Sequence, residues 1–420
     1  MSPHGLDYVG DLLSMDGVPL SEVADQFATP CYVYSARRIR ENVERFRSSL
    51  AGLPGQVCYA VKANSNLAVL RLLSREGLGA EVVSGGELVR AVRAGFPPNE
   101  ILFSGVGKRE DELVMALATG VRAMIVESLE ELELIDHLAQ SKRKRAHVVL
   151  RVHPSLDLHT HPYLATAAEG TKFGMDPEAL PPALEFLTTT RALDLAGFHV
   201  HLGSQIREVG PYLAALDRLT SCIGEARTRG LSPRFLDLGG GFAIPYADGE
   251  TAFPLDQLAQ ALHGYDFQGL QLLFEPGRAL VADAGVLLTR VLFRKRVHGQ
   301  TFVVVDAGMN DLIRPILYGG WHRVESVMRW DGPVELVNVV GPICENADFL
   351  AQRIPLPTVV RGELLAIRDV GAYGFTMSSQ YNSRPRAAEV LIVDGKPYLV
   401  RSRETLADLW QGEAVPECLA

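Results

Sequence analysis

Eight short apolar runs, most followed by an amphipathic segment, fill residues 57 to 280 and constrain this chain more than any other feature. They read "VCYAVK", "GAEVVS", "ILFSG", "RAMIVE", "HVVLRVHP", "GFHVHLGS", "RFLDLGGG" and "LQLLFEPGR". Between them, "NLAVLRLLSREG", "GGELVRAVRAG", "EDELVMALATG" and "PYLAALDRLTSCIGEARTRG" repeat apolar residues with a period of about 3.6. Near-continuous apolar strands are those buried on both faces, as in a parallel sheet covered by helices. The eightfold alternation predicts a (β/α)8 TIM-type barrel in preference to an open doubly wound sheet. A further helix is expected over "SARRIRENVERFRSSLAG", starting at Ser35, ahead of the first strand.

Past residue 280 the texture changes. The runs "GVLLTRVLFRKRV", "TFVVVDAG", "VELVNVVG", "GELLAIRD" and "AAEVLIVDGKPYLVRSR" follow one another with little helix between, which predicts an antiparallel β domain. Within the last, Asp394 to Lys396 ("DGK") is a hairpin signal. The early run "CYVYS" has no barrel partner nearby and is assigned to this second domain. The expected division is a barrel over residues 35–280 and a sandwich- or barrel-like β domain from residues 1–34 plus 281–420.

Composition narrows the function. With 47% apolar and 22% charged residues the chain can bury a large core, which excludes a disordered binder. A net charge of -9 gives no footprint for nucleic acid or an anionic membrane, and "KRKR" at Lys142 to Arg145 reads as a solvated helix end. Five scattered cysteines lack metal-ligand spacing, so no metal is expected and a reducing compartment is. No apolar run reaches membrane-spanning length, and Asp7, Asp11 and Asp16 occupy the region where a signal peptide needs a basic segment and an apolar core. A soluble, cytoplasmic protein is the expectation.

In such a barrel the chemistry collects at the C-terminal ends of the strands. The first run closes on Lys62, expected on the strand face of Cys58 and Ala60, where a lysine is solvated, paired or chemically used. The seventh closes on Gly239 to Gly241, which is either a tight turn or a place for backbone N–H groups to approach a phosphate. The eighth closes on Glu275, Pro276, Gly277 and Arg278, a second glycine-containing loop beside the first. His201 ends the sixth, with Gly203 and Ser204 behind it. An amine, a phosphate cradle, a flat imidazole and a carboxylate in one barrel mouth together suit pyridoxal 5′-phosphate.

The motifs "YAVKANSN", "HVHLGSQI", "LDLGGGFAIPY", "EPGRALVADAG", "DAGMNDLIRPILY", "GPICENADFL" and "GAYGFTMSSQYNSRPR" resemble those of the diaminopimelate decarboxylases, members of the alanine-racemase-like (fold type III) class of pyridoxal phosphate enzymes. The resemblance runs from about residue 25 to residue 410 and implies a β/α barrel followed by a β domain. It implies that Lys62 holds the cofactor as a Schiff base and that His201 stacks on its ring. Ser204, Gly240, Gly241 and the loop Glu275, Pro276, Gly277 and Arg278 would hold the phosphate, and Glu275 would also pair with the pyridine nitrogen. Cys344 and Glu345 would be donated from the second subunit of a homodimer, Cys344 as a general acid, and Tyr373 would hydrogen-bond cofactor or substrate.

On the same grounds Arg278, Arg314 and Tyr318 would bind the far carboxylate of an amino-acid substrate, with Glu345 at its distal amine. The implied reaction is decarboxylation of meso-2,6-diaminopimelate to L-lysine. Three departures from the family pattern stand out: "CENADF", "ATAAEGTKFG", and Glu81 where an aspartate is common. The first two motivate an alternative substrate, either another amino acid or a carrier-tethered one. A cofactor-binding regulator without activity is the third reading, opposed by the joint presence of Lys62, Cys344, Glu345 and Tyr373.

Overall fold

The eight apolar runs form a closed parallel barrel in a computed structural model that describes residues 5–153 and 171–419. Its strands are β1 (Gly55–Ala60), β2 (Gly79–Val82), β3 (Ile101–Phe103), β4 (Ala123–Val126), β5 (Ala146–Arg151), β6 (Leu193–His199), β7 (Phe235–Asp237) and β8 (Gln271–Phe274). Each pairs with the next, and β8 pairs with β1 through Phe274 and Val57 to close the ring. The interior is solid. Cys58, Leu102, Ala123, Ile125, Val149, Ala196, Phe235 and Leu273 form one buried cluster, so the barrel is a packed core whose working surface is its mouth.

The helices between strands follow from caps and apolar spacing. In Leu67–Arg75 the side chain of Asn66 accepts from Ala68 N, and Val69, Leu70, Leu72 and Leu73 turn inward. Burial of each such side chain contributes roughly 1.5–3 kcal/mol. In Gly85–Ala94 the Ser84 hydroxyl accepts from Glu87 N, and Gly95 ends the helix in the left-handed region. The basic run Lys142 to Arg145 is exposed directly after helix Leu129–Ser141, the solvated helix end that was expected. Among the described residues no helix is long and apolar enough to cross a membrane.

The chain divides into two compact units, one of residues 40–245 and 249–280 and the other of residues 1–39, 246–248 and 281–420. The second unit is built on a nine-stranded sheet. In it Cys31–Ser35 lies between Gly285–Val297 and Ala388–Val393, so the early run does join the β domain. Most pairings are antiparallel, but Cys31–Ser35 with Ala388–Val393 and Gln300–Val305 with Val334–Val340 are parallel. These partners are distant in sequence, and no tight turn forces them to run opposite ways. The hairpin expected at Asp394 is present, with φ of 49° at Asp394 and 73° at Gly395, both positive as a type I′ turn requires.

The sequence reading did not anticipate the three-stranded sheet of Leu6–Val9, Leu12–Met15 and Val18–Pro19. Its second turn uses the same chemistry, with φ of 51° at Asp16 and 81° at Gly17. Leu13 and Met15 pack with Val33, Val286, Leu288, Val390 and Ile392 in the core of this unit.

Candidate active site

Lys62 does not sit on the strand. β1 stops at Ala60 and a 3-10 turn over Val61–Ala63 carries the lysine, which corrects the expectation that it shares a strand face with Cys58 and Ala60. The turn is held from both sides: Ala60 N donates to Pro276 O, and Asn64 accepts from Tyr59 Oη through its carbonyl and from Asn66 N through its side chain. Lys62 Nζ lies 3.0 Å from Glu81 Oε2, at the end region of β2. Burial raises the Glu81 carboxyl above the ordinary range although Lys62 pulls the other way.

A cavity of about 390 Å³ opens at the same end of the barrel, lined by Lys62, Glu81, Ser104, Arg151, His201 and Glu275 among others. A cleft of about 480 Å³ in the other unit, between Trp321, Trp330, Arg353 and Pro357, has no lysine amine in its lining.

The glycine turn after β7 is a consequence of crowding. A β-carbon on Gly240 would collide with the Glu275 carbonyl and one on Gly241 with the Gly203 carbonyl, so only glycine lets these loops meet. At Gly277 the added carbon would lie 2.9 Å from the Ala63 β-carbon, beside the Lys62 turn. Gly240 N donates to His201 Nδ1 at 3.1 Å, which fixes that nitrogen as an acceptor. Burial pushes the His201 imidazole well below its usual range, and Lys62 and Arg151 push it further, so the ring is neutral. Arg278 donates to the Ser204 hydroxyl from Nη2 at 2.9 Å and from Nε at 3.3 Å, tying the loop after β6 to the loop after β8.

Three acid–base residues meet beneath this mouth because three neighbouring strands deliver them. His199 ends β6 and is the register partner of Asp237, which ends β7; Asp237 in turn faces Leu273 of β8, two residues before Glu275. His199 Nε2 is 3.2 Å from Glu275 Oε2, and one side-chain atom of each of the three lies within 4.8 Å of the other two. Burial would raise the Glu275 carboxyl, but His199, which bonds to it, and the Lys62 charge outweigh burial and hold it at about 2. Burial and the charge of Glu275 push Asp237 well above the carboxylate range, against one hydrogen bond from Gly239 N.

The remaining expected site residues belong to the other unit. Arg314 is buried, with Nη1 2.9 Å from His322 Nε2 and its guanidinium 4.6 Å from the centre of the Tyr246 ring. Tyr318 closes the short helix Arg314–Tyr318 and is partly buried. Cys344 and Glu345 are exposed on a loop that Asp348 secures by accepting from Ile343 N and Met309 N. Tyr373 is partly buried and has a φ of 56°. The segment Ala165 to Gly174 lies outside the described residues up to position 170.

Sequence reasoning passed over His199, Asp237 and Arg151. Arg151, at the end of β5, reaches Glu127 Oε1 at 2.6 Å and lines the cavity. Each is a polar residue that ends an apolar strand, the signal that had singled out Lys62.

These residues fit pyridoxal 5′-phosphate. The glycine turn and Gly277 have no room for a β-carbon, so these loops can offer a phosphate backbone and no side chain, His201 offers an uncharged flat face, and Glu275 is an anion whose Oε1 meets no donor among the described residues. Lys62 would supply the amine.

Residues 36–282 match the pyridoxal-binding domain of the pyridoxal-dependent decarboxylases. Diaminopimelate decarboxylase of Pseudomonas aeruginosa is 44% identical over 406 residues, covering 96% of this chain and 97% of that protein. That of Aquifex aeolicus is 41% identical over 400 residues, 95% of each. The crystal structure of diaminopimelate decarboxylase from M. jannaschii in co-complex with L-lysine superposes with a TM-score of 0.94 at 34% identity, covering 100% of both chains.

Proposed function

The chain belongs to the diaminopimelate decarboxylases within the pyridoxal-dependent decarboxylase family, and from that membership we propose that it converts meso-2,6-diaminopimelate to L-lysine and CO2. The observation that carries this reading is the meeting of Lys62, Glu81, His201 and Glu275 around one cavity at the C-terminal mouth of a parallel barrel. When bound, pyridoxal 5′-phosphate supplies an electron sink for the pair left on the α-carbon as CO2 departs.

Lys62 would hold the cofactor by its aldehyde carbon, Ser204, Gly240, Gly241, Pro276, Gly277 and Arg278 would enclose the phosphate, and Glu275 would meet the ring nitrogen. Glu275 is the anion suited to keeping that nitrogen protonated, since its own carboxyl is held down at about 2. His201 would cover the ring with a neutral face. Glu81, 3.0 Å from Lys62 Nζ, would keep that side chain at the mouth before the cofactor arrives.

The motif resemblance supports the remaining roles. Arg278, Arg314 and Tyr318 would grip the distal carboxylate, Glu345 the distal ammonium, and Tyr373 the cofactor. Cys344 would return a proton to the α-carbon, a role that its exposed, free thiol supports. We place Cys344 and Glu345 in the site of a second copy, so the working unit is a homodimer. Five free cysteines support a reducing, cytoplasmic setting.

A second reading, another diamino acid or a carrier-tethered amino acid, is favoured by the substituted residues after Glu345 in "CENADF". Measuring CO2 release and product over a panel of amino acids separates the two. L-lysine from meso-diaminopimelate is the expected result; release from a different amino acid and none from diaminopimelate would select the second reading.

A further inference from the structure

We propose that His199 and Asp237 are positioning residues for Glu275: Asp237 is a neutral acid that donates its proton to Glu275, and His199 is a second donor, so that Glu275 alone carries the charge of this buried cluster. The proposal rests on the reading of Glu275 as the partner of the cofactor's ring nitrogen.

The geometry forces the division. Asp237 and Glu275 are 0% and 3% exposed with carboxyl oxygens within 4.8 Å, and two carboxyls so close at such depth do not both ionise. Which of them keeps the proton follows from the neighbours. Glu275 meets His199 at 3.2 Å and faces the charge of Lys62, whereas Asp237 faces Glu275 and Glu81 and accepts from the Gly239 N–H. Asp237 Oδ2 and Glu275 Oε1 both lack a donor among the described residues, so a proton on Asp237 gives the pair the hydrogen that neither carboxylate brings. A carboxylate only accepts, so the 3.2 Å contact assigns the donating N–H of His199 to Nε2. His199 Nδ1 has no partner among the described residues, and a bare lone pair there is tolerated better than a buried N–H.

The consequence concerns charge. With Asp237 neutral, the cluster presents one negative charge to one protonated ring nitrogen. An ionised Asp237 would add a second anion with no cation to answer it.

Asn at this position keeps an acceptor for Gly239 N and a donor for Glu275, whereas Leu keeps neither. The test compares wild type, Asp237→Asn, Asp237→Leu and His199→Leu, all checked for folding by circular dichroism. Two readouts are independent of turnover: the dissociation constant of pyridoxal 5′-phosphate, and 13C NMR of chains labelled at aspartate side-chain carboxyls, both with and without the cofactor. We expect one aspartate signal of the neutral acid above neutral pH, absent from Asp237→Asn. That variant should bind the cofactor within about threefold of wild type, while Asp237→Leu and His199→Leu each weaken binding by at least about tenfold, the effect of one charge-assisted hydrogen bond.

A folded Asp237→Asn as defective as Asp237→Leu, or no neutral aspartate signal in wild type, would overturn the proposal. So would a stoichiometric divalent cation held by these three side chains. Wild type that takes up no pyridoxal 5′-phosphate would instead remove the reading of Glu275 on which the proposal stands.

Discussion

The Lys62 ammonium and the Glu81 carboxylate lie 3.0 Å apart, the lysine side chain about one third exposed and the glutamate 1% exposed. The pair aims a cation into the barrel mouth from a turn, not from a strand. Without the lysine, Glu81 is a buried carboxyl with its nearest cation gone. Lys62→Ala should therefore lower decarboxylation by at least about a thousandfold and abolish the visible absorbance of bound cofactor. Retained turnover, measured as CO2 release, would remove the amine from the mechanism.

The glycine turn has no slack. Gly240→Ala places a methyl group against the Glu275 carbonyl, and overpacking of this kind costs about 1–3 kcal/mol. A lowered unfolding midpoint together with weaker cofactor binding is expected. An unchanged affinity, measured by titration with pyridoxal 5′-phosphate, would take the cradle away from this loop.

Sharing of the site between copies can be read from mixed inactive chains. Lys62→Ala and Cys344→Ala chains, refolded together, should recover about one quarter of wild-type activity, because half of the dimers are hybrid and each hybrid has one intact site. No recovery, with hybrid dimers demonstrated by mass spectrometry, would confine each site to one chain.

Burial raises the carboxyl of Asp311 from 3.8 to about 7, with Asp306 adding to it and the Gly308 N–H opposing. Between those values the folded chain holds a proton that the unfolded chain has released. Stability is therefore full below the lower value and falls as pH rises toward the upper one, by a few kcal/mol at most. Urea unfolding at pH about 5 and about 8 should show a larger loss for wild type than for Asp311→Asn. Equal losses in the two proteins would remove Asp311 from the account.

The barrel was legible because strands covered on both faces are apolar through most of their length, as in "HVVLRVHP" and "RFLDLGGG". The turn at Lys62 was not, because "VCYAVK" continues in strand formers past the last paired residue. Asn64 and Asn66 were the available clue, since both side chains serve the backbone as an Asx turn and a helix cap. His199 and Asp237 were overlooked for a different reason. Each ends a largely apolar strand, and only the register of three adjacent strands shows that they converge. Parallel pairing in the β domain was equally hidden, because which distant strands meet is decided by packing. The Asp16–Gly17 turn, by contrast, carried the same signal as Asp394–Gly395 and could have been read.

The place of Cys31–Ser35 between Gly285–Val297 and Ala388–Val393 bears on how the polypeptide can be cut. A fragment beginning near residue 281 would lack the middle strand of its own sheet and carry two raw edges, each open to pairing with a stranger. During synthesis the same strand leaves the ribosome long before either neighbour exists. The amino-terminal arm must wait unpaired while the barrel is being made, and the last strands to emerge complete what the first ones began.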